Sequence, residues 1–205
     1  MNVVFDLDGT LVDSGAQVLE TTRALVAEAT GRRPSLAEVA HREAGTFEAT
    51  FANHGLSGEH LIPRWGELAL RHACRAFRGI PSLLVALRAA GHRLHVWTAR
   101  DAVSAAWLLE RAGISHHFEG RVVAWSPRHP KPDARGLATL VSDAPPAEVV
   151  VIGDGWTDLQ GARAYGAAHI AALWSPHADE PRLRREGATT AARTPREVRA
   201  HVRSR

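Results

Sequence analysis

Cysteine, lysine and long apolar segments are all scarce in this sequence. The single cysteine, Cys74, has no partner for a disulfide within the chain, so we expect a reducing compartment such as the cytoplasm. No apolar run reaches the roughly 18 residues that a membrane-spanning helix needs, and we therefore expect no transmembrane helix. Asp6 and Asp8 interrupt the first apolar segment, which argues against an N-terminal signal peptide.

The basic residues are almost all arginine, because Lys131 is the only lysine. The formal net charge at pH 7 is +3, and arginines are frequent from Arg182 to the C-terminus. A basic segment of this kind can bind nucleic acid, but acidic residues such as Glu186 and Glu197 lie between the arginines. This mixture favours a solvated helix and tail, and we expect no nucleic-acid partner.

The remaining composition is typical of a folded globular protein. Of the 205 residues, 45% are hydrophobic and 23% are charged, which differs from the composition of disordered chains. A chain of this length can form one sizeable core domain with a small inserted module.

Short apolar segments that end in a polar or glycine-containing turn recur along the chain, and they predict β-strands. They cover residues 3–8, 93–97, 121–125, 149–152 and 169–173. Amphipathic helical patterns that end at glycine separate several of them, over residues 81–90, 102–112 and 157–165. This alternation predicts an α/β fold, a doubly wound, Rossmann-like parallel sheet covered by helices.

Residues 15–79 interrupt this alternation. They show helical patterns over residues 17–29, 36–42, 46–53 and 65–77, with no strand between them. We therefore expect a helical cap domain (residues 15–79) inserted into an α/β core domain made of residues 1–14 and 80–205.

Two aspartates lie in the last half of the first predicted strand, at a spacing of two residues. In a strand this spacing places Asp6 and Asp8 on one side and Leu7 on the other. The two carboxylates repel each other, and either a cation or a shared proton would relieve this repulsion. If the substrate is a phosphate, the carboxylates also repel the substrate, and a bridging metal ion is needed. Hard oxygen ligands of this type suit Mg²⁺.

Other polar side chains lie at the ends of later predicted strands. Asp154 follows the strand at residues 149–152, and Asp158 lies about one helical turn later. Thr98 ends the strand at residues 93–97, and its hydroxyl could donate to a phosphate oxygen. Lys131 stands between two prolines that restrict the backbone around it.

These segments together resemble the haloacid dehalogenase-like (HAD) hydrolase superfamily, in its phosphoglycolate phosphatase-like branch. Residues 6–14 (DLDGTLVDS) are similar to the first family motif and residues 96–98 (VWT) to the second. Residues 131–133 (KPD) resemble the third, and residues 153–158 (GDGWTD) resemble the fourth. The resemblance covers nearly the whole chain except its C-terminal end.

The resemblance implies a role for each aspartate of the first motif. Asp6 would be the nucleophile on phosphorus, and Asp8 would act first as general acid and then as general base. Asp6, Asp154 and the backbone carbonyl of Asp8 would hold Mg²⁺.

The resemblance also implies how the phosphate is bound. Thr98 and Lys131 would contact phosphate oxygens and offset the charge that develops in the transition state. Asp158 would either support the metal or orient Lys131, and the sequence leaves both roles open.

The expected function is hydrolysis of a small phosphorylated metabolite by a monomer or homodimer. A sugar phosphomutase of the β-phosphoglucomutase kind would keep the same four motifs and stays open as an alternative. A non-catalytic protein that binds phosphate or nucleic acid is an alternative of a different class. Haloacid dehalogenase chemistry is disfavoured, because those relatives lack a carboxylate at the position of Asp8.

Four residues are candidates for substrate binding. In the cap, residues 41–46 resemble a substrate loop, where Arg42 and Thr46 could contact the substrate. Arg42 could meet a second anionic group, or it could form a surface ion pair with a neighbouring glutamate. Arg100, two residues beyond Thr98, is expected to touch the substrate or the cap, and Trp156 could form a wall of the site.

Overall fold

The computed structural model describes residues 1–72, 74–118, 122–123 and 128–203. Its strands are β1 (Asn2–Phe5), β2 (Arg93–Trp97), β3 (Val122–Val123), β4 (Val149–Gly153), β5 (Ala168–Ala172) and β6 (Ala191–Ala192). Its helices are α1 (Gly15–Thr30), α2 (Leu36–His41), α3 (Phe47–Asn53), α4 (Leu61–Ala69), α5 (Ile80–Ala89), α6 (Ala102–Arg111), α7 (Ala134–Val141), α8 (Trp156–Tyr165), α9 (Glu180–Arg185) and α10 (Pro195–Arg203).

The strands form one parallel sheet in the order β3-β2-β1-β4-β5-β6. β1 lies in the middle, where Phe5 is in register with Val96 on one side and Ile152 on the other. The chain winds outward from β1 to β3 and then from β4 to β6, so its direction reverses between β1 and β4. In such sheets, ligands bind at the carboxyl ends of the strands near this reversal.

Helices cover both faces of the sheet, which confirms the predicted α/β fold. Alternate residues of β1 serve the two faces: Val3 and Phe5 join a cluster with side chains of α5, α6 and α10, whereas Val4 packs with side chains of α7 and α8. Because both faces are buried, the central strands are almost continuously apolar.

The C-terminal arginine-rich segment is more than a solvated helix and tail. In α10, Val198 and Val202 are buried in the same cluster as Val3 and Phe5. The helix therefore completes the core on one face of the sheet.

The four helices α1–α4, which we call the cap helices, follow β1 and have a hydrophobic cluster of their own. It includes Leu25 of α1, Phe51 of α3 and Trp65 of α4. This arrangement agrees with an inserted helical module, and the proposed division at residues 15 and 79 stays a prediction.

The helix expected over residues 65–77 is displaced, because α4 spans Leu61–Ala69. Leu61 contributes to the cap cluster, and Pro63 lies in the first turn, where a helix tolerates proline. Beyond α4 the chain pairs with the segment after β1: the N–H of Phe77 donates to the carbonyl of Leu11 at 3.0 Å. This backbone pairing replaces the last turns of the expected helix.

Other differences lie in short elements. The helix α7, the helix α9 and the two-residue strand β6 were not anticipated, and each of them is short. Of the strand expected over residues 121–125, Val122 and Val123 form β3, and the rest lies outside the described residues. Among the described helices, none is both long and apolar enough to span a bilayer.

Candidate active site

A cavity of about 430 Å³ lies between the carboxyl ends of the central strands and the cap helices. The residues that line it from the sheet side include Asp6, Asp8, Thr98, Lys131, Asp154 and Asp158. The structure therefore brings together the six residues that the four motifs predicted for the site.

Lys131 contacts two carboxylates at the floor of the cavity. Its Nζ donates to Oδ1 of Asp6 at 2.7 Å and to Oδ1 of Asp158 at 2.6 Å. All three side chains are buried. Burial opposes the charge on Lys131, but the carboxylates of Asp158 and Asp6 outweigh it and raise the pKa of Lys131 above its usual value.

Asp6, Asp154 and Asp158 form a compact acidic cluster. One ligand oxygen from each lies within 4.8 Å of the others. Burial raises the pKa of Asp6 to about 7, against the attraction of Lys131. Burial and the neighbouring carboxylates also raise the pKa of Asp154. A largely buried set of oxygen donors whose charge exceeds that of one ammonium fits a divalent cation.

Gly9 and Thr10 explain why the first motif continues beyond its aspartates. The Thr10 hydroxyl donates to Oδ1 of Asp154 at 2.9 Å and accepts from the Asp154 N–H at 3.1 Å. Gly9 has a φ of 75°, and a Cβ there would lie 2.1 Å from Oδ2 of Asp154. The glycine and the threonine thus position a carboxylate that comes from β4.

Asp8 is held by donors on both of its oxygens. Arg100 donates from Nε to Oδ2 at 2.7 Å and from Nη2 to Oδ1 at 2.6 Å. The hydroxyl of Ser14 donates to Oδ1 at 2.5 Å. Nothing in the sequence indicated the Arg100 contact, because Asp8 and Arg100 follow different strands, whereas Ser14 is part of the first motif.

Thr98 lines the cavity from the end of β2, and its Oγ1 accepts the backbone N–H of Arg100 at 3.1 Å. This bond uses a lone pair of the oxygen and leaves the hydroxyl hydrogen available to a ligand. Arg100 itself points away from the cavity, toward Asp8 and the cap helices. It therefore contacts the cap, one of the two outcomes expected for it.

In the cap loop, the cavity wall includes Glu43 and not Arg42, as far as the described residues go. Arg42 forms an ion pair with Glu38 at 3.4 Å and donates to the carbonyl of Asn53 at 2.8 Å. The structure thus favours the surface ion pair over substrate contact for Arg42. Glu43 was missed by sequence reasoning, and burial raises its pKa, against the nearby His177.

Trp156 and Thr46 both line the cavity, in agreement with their placement as candidate substrate residues. Gly45 approaches the Trp156 indole so closely that a Cβ there would lie 2.2 Å from Nε1. Arg182 of α9 lines the same cavity and stacks on the indole, 4.7 Å from the ring centre. Arg182 was not anticipated, because the C-terminal arginines were interpreted as solvated.

A model of the haloacid dehalogenase-like hydrolase family matches residues 3–172. This chain belongs to that family. The match extends from β1 through β5 and includes the four motifs, so the predicted resemblance is confirmed.

The proteins similar to this chain include a phosphoglycolate phosphatase, in agreement with the predicted branch. The phosphoglycolate phosphatase of Xylella fastidiosa is 32% identical over 194 residues, which cover 87% of this chain and 83% of the relative. The tyrosine-protein kinase PtkA of Mycobacterium tuberculosis is 30% identical over 84% of this chain and 62% of its own length. One relative is named as a phosphatase and the other as a kinase, so the substrate of this chain must be argued from its own site.

A family hydrolase from Deinococcus radiodurans, solved with bound phosphate and sodium, has the same fold. Its TM-score is 0.71 at 26% identity, with 98% of this chain and 94% of the other covered. Together with the curated relatives, this supports the prediction of a phosphatase-type hydrolase.

Proposed function

We propose that this chain is a magnesium-dependent phosphatase that hydrolyses a small phosphate monoester through an aspartyl-phosphate on Asp6. The observation that carries the proposal is the buried contact between Lys131 and Asp6 at the floor of the cavity. The ammonium holds the carboxylate in place and can also bind a phosphate oxygen beside it. A cavity of about 430 Å³ suits a small metabolite.

In the first step, an oxygen of Asp6 attacks phosphorus and the bond from phosphorus to the leaving oxygen breaks. Asp8 gives its proton to the leaving oxygen, so that an alcohol departs. Lys131 and Thr98 bind the non-bridging phosphate oxygens, whose charge is redistributed in the transition state.

In the second step, water attacks phosphorus and the bond between Asp6 and phosphorus breaks. Asp8, now a carboxylate, takes a proton from this water. Inorganic phosphate leaves, and Asp6 and Asp8 return to their starting states.

The acidic cluster fits Mg²⁺, which would be held by Asp6, Asp154 and the backbone carbonyl of Asp8. When bound, it would supply positive charge that offsets repulsion between the carboxylates and the phosphate. Asp158 contacts Lys131 directly, which favours a role in orienting the lysine.

The covalent step can be tested by chemical trapping. Enzyme mixed with acetyl phosphate and Mg²⁺ and quenched with borohydride should contain homoserine at position 6, found by peptide mass spectrometry. Reduction at another residue, or none while turnover continues, would contradict the mechanism. Release of inorganic phosphate from a monoester without a bisphosphate activator would separate a phosphatase from a mutase.

A further inference from the structure

We propose that Arg100 is a positioning residue for Asp8, and that it couples the orientation of this carboxylate to the cap helices. The proposal rests on the proposed function, in which Asp8 is the general acid and base. The Arg100 side chain touches neither the cavity nor the acidic cluster of Asp6, Asp154 and Asp158. It contacts the cavity residue Asp8, and we expect it to act on catalysis through that contact.

The contact between Arg100 and Asp8 is a two-point contact. Nε and Nη2 of the guanidinium reach the two different oxygens of the carboxylate, at 2.7 and 2.6 Å. Two parallel bonds fix the plane of a carboxylate, which one point charge cannot do. The Arg100 side chain is 1% exposed, whereas that of Asp8 is 24% exposed and lines the cavity.

The other side of Arg100 faces the cap helices. Its Nη2 also donates to Oε1 of Gln17 in α1 at 2.5 Å. The Gln17 amide donates in turn to the carbonyl of Ala69, the last residue of α4, at 2.8 Å. The ring of Trp65, also in α4, lies 4.8 Å from the guanidinium carbon.

These contacts form a continuous path from α4 through Gln17 and Arg100 to Asp8. A shift of α1 or α4 must move Gln17 or Trp65, and each of them contacts Arg100 directly. Buried groups in such a network have few alternative partners, so the carboxylate follows the cap helices.

The role of Asp8 in the first step makes the rate depend on the leaving group. This dependence would not change if Arg100 had only a structural role. An alkoxide is a poor leaving group and needs the proton from Asp8, whereas p-nitrophenolate can leave without it. A misplaced Asp8 should therefore slow alkyl phosphates selectively. The useful quantity is kcat/KM, because it reports the steps up to release of the leaving group and not the later hydrolysis.

The test compares Arg100→Lys with the wild type on p-nitrophenyl phosphate and on the best of three alkyl esters: glycerol 3-phosphate, phosphoglycolate and glucose 6-phosphate. Lysine keeps the charge but cannot form the two-point contact. We expect kcat/KM for the alkyl ester to fall about 10- to 100-fold, and that for p-nitrophenyl phosphate to change by less than about threefold. The ratio of the two values does not depend on how much of the enzyme is folded.

Two further variants serve as partner and control. Gln17→Met removes the cap end of the path and should shift the ratio in the same direction by a smaller factor. Arg64→Lys is the matched control, because Arg64 also makes a two-point contact between cap helices, with Glu28 at 2.7 and 2.8 Å, but on the surface. It should leave the ratio unchanged.

Asp8→Asn separates failure of this proposal from failure of the proposed function. If Asp8→Asn shows the selective loss and Arg100→Lys slows both esters equally, Arg100 is structural and the proposal is overturned alone. If Asp8→Asn shows no selectivity, Asp8 is not the general acid. This outcome would contradict both the proposed mechanism and the positioning role of Arg100. An unchanged ratio in Gln17→Met would overturn the coupling to the cap.

Discussion

Lys131 and Asp6 are 125 residues apart in the chain and form a buried ion pair with an Nζ to Oδ1 distance of 2.7 Å. The same ammonium bonds to Asp158, and the ring of Trp97 lies 5.0 Å away. Its surroundings therefore leave little room for a larger cation.

We expect Lys131→Arg to lose about 100-fold in kcat, although the charge is kept. The planar guanidinium is wider than an ammonium and would displace Asp6 or Asp158, and a misplacement of about 1 Å can cost that factor. Steady-state kinetics measure the loss. Arg135→Lys is the control, because Arg135 lies close by in the chain and pairs with Asp133 on the surface. A near-native Lys131→Arg enzyme would show that charge alone is required.

Asp6→Asn should lower kcat by at least about a thousandfold, because an amide cannot replace the carboxylate nucleophile. The variant should stay folded, since the change removes one of three clustered acids. Kinetics on freshly purified protein and a thermal melt measure the two effects. Retention of more than a few per cent of the activity would contradict covalent catalysis.

Binding of Mg²⁺ should stabilise the fold, and more so at higher pH. The raised pKa values of Asp6 and Asp154 mean that the metal-free folded state binds more protons than the unfolded state between pH about 4 and 7. Without metal, the free energy of unfolding therefore decreases as the pH rises through that window. Protons and metal compete for the same oxygens, so the increase in Tm on adding Mg²⁺ should grow from pH 5.5 to pH 7.5.

At a hundredfold excess over its Kd, the metal should add about 2.7 kcal/mol to the free energy of unfolding. Asp154→Asn should lose most of this increase. Glu110→Gln, which changes an exposed acid on α6, should keep it. An equal increase in wild type and Asp154→Asn would place the stabilising metal elsewhere.

Glu43→Gln should lower KM for phosphoglycolate relative to glycerol 3-phosphate. Glu43 lines the cavity, and its negative charge repels a substrate carboxylate. Arg42→Gln changes the neighbouring residue, whose side chain pairs with Glu38, and should leave the KM ratio unchanged. A shift of the ratio in Arg42→Gln alone would mean that the arginine reaches the substrate.

The sequence was sufficient for residues whose chemistry is local to a strand end. Asp6 and Asp154 belong to recognisable motifs and directly follow β1 and β4, and parallel strands bring their carboxyl ends to one edge. Lys131 belongs to a recognisable motif of its own. The sequence was insufficient where a side chain could face either the cavity or the protein surface. Arg42 and Glu43 are adjacent, and only the packing of the cap loop decides which of them faces the cavity.

Contacts between distant segments were equally hidden. The bond from Arg100 to Gln17 depends on how α1 is placed against the loop that follows β2, and no periodicity encodes that placement. The burial of Val198 in α10 was missed because arginines surround it in the sequence. Charged neighbours suggest a solvated helix, yet a helix needs few apolar side chains to pack along one stripe.

The central position of β1 has a consequence for how the chain acquires its structure. β1 precedes both of its partners in the chain, since β2 and β4 begin at Arg93 and Val149. Its pairings therefore join residues far apart in the sequence, a topology that slows folding. During translation β1 stays incomplete until β4 has emerged, so a fragment that ends before Val149 should lack slowly exchanging amides in β1.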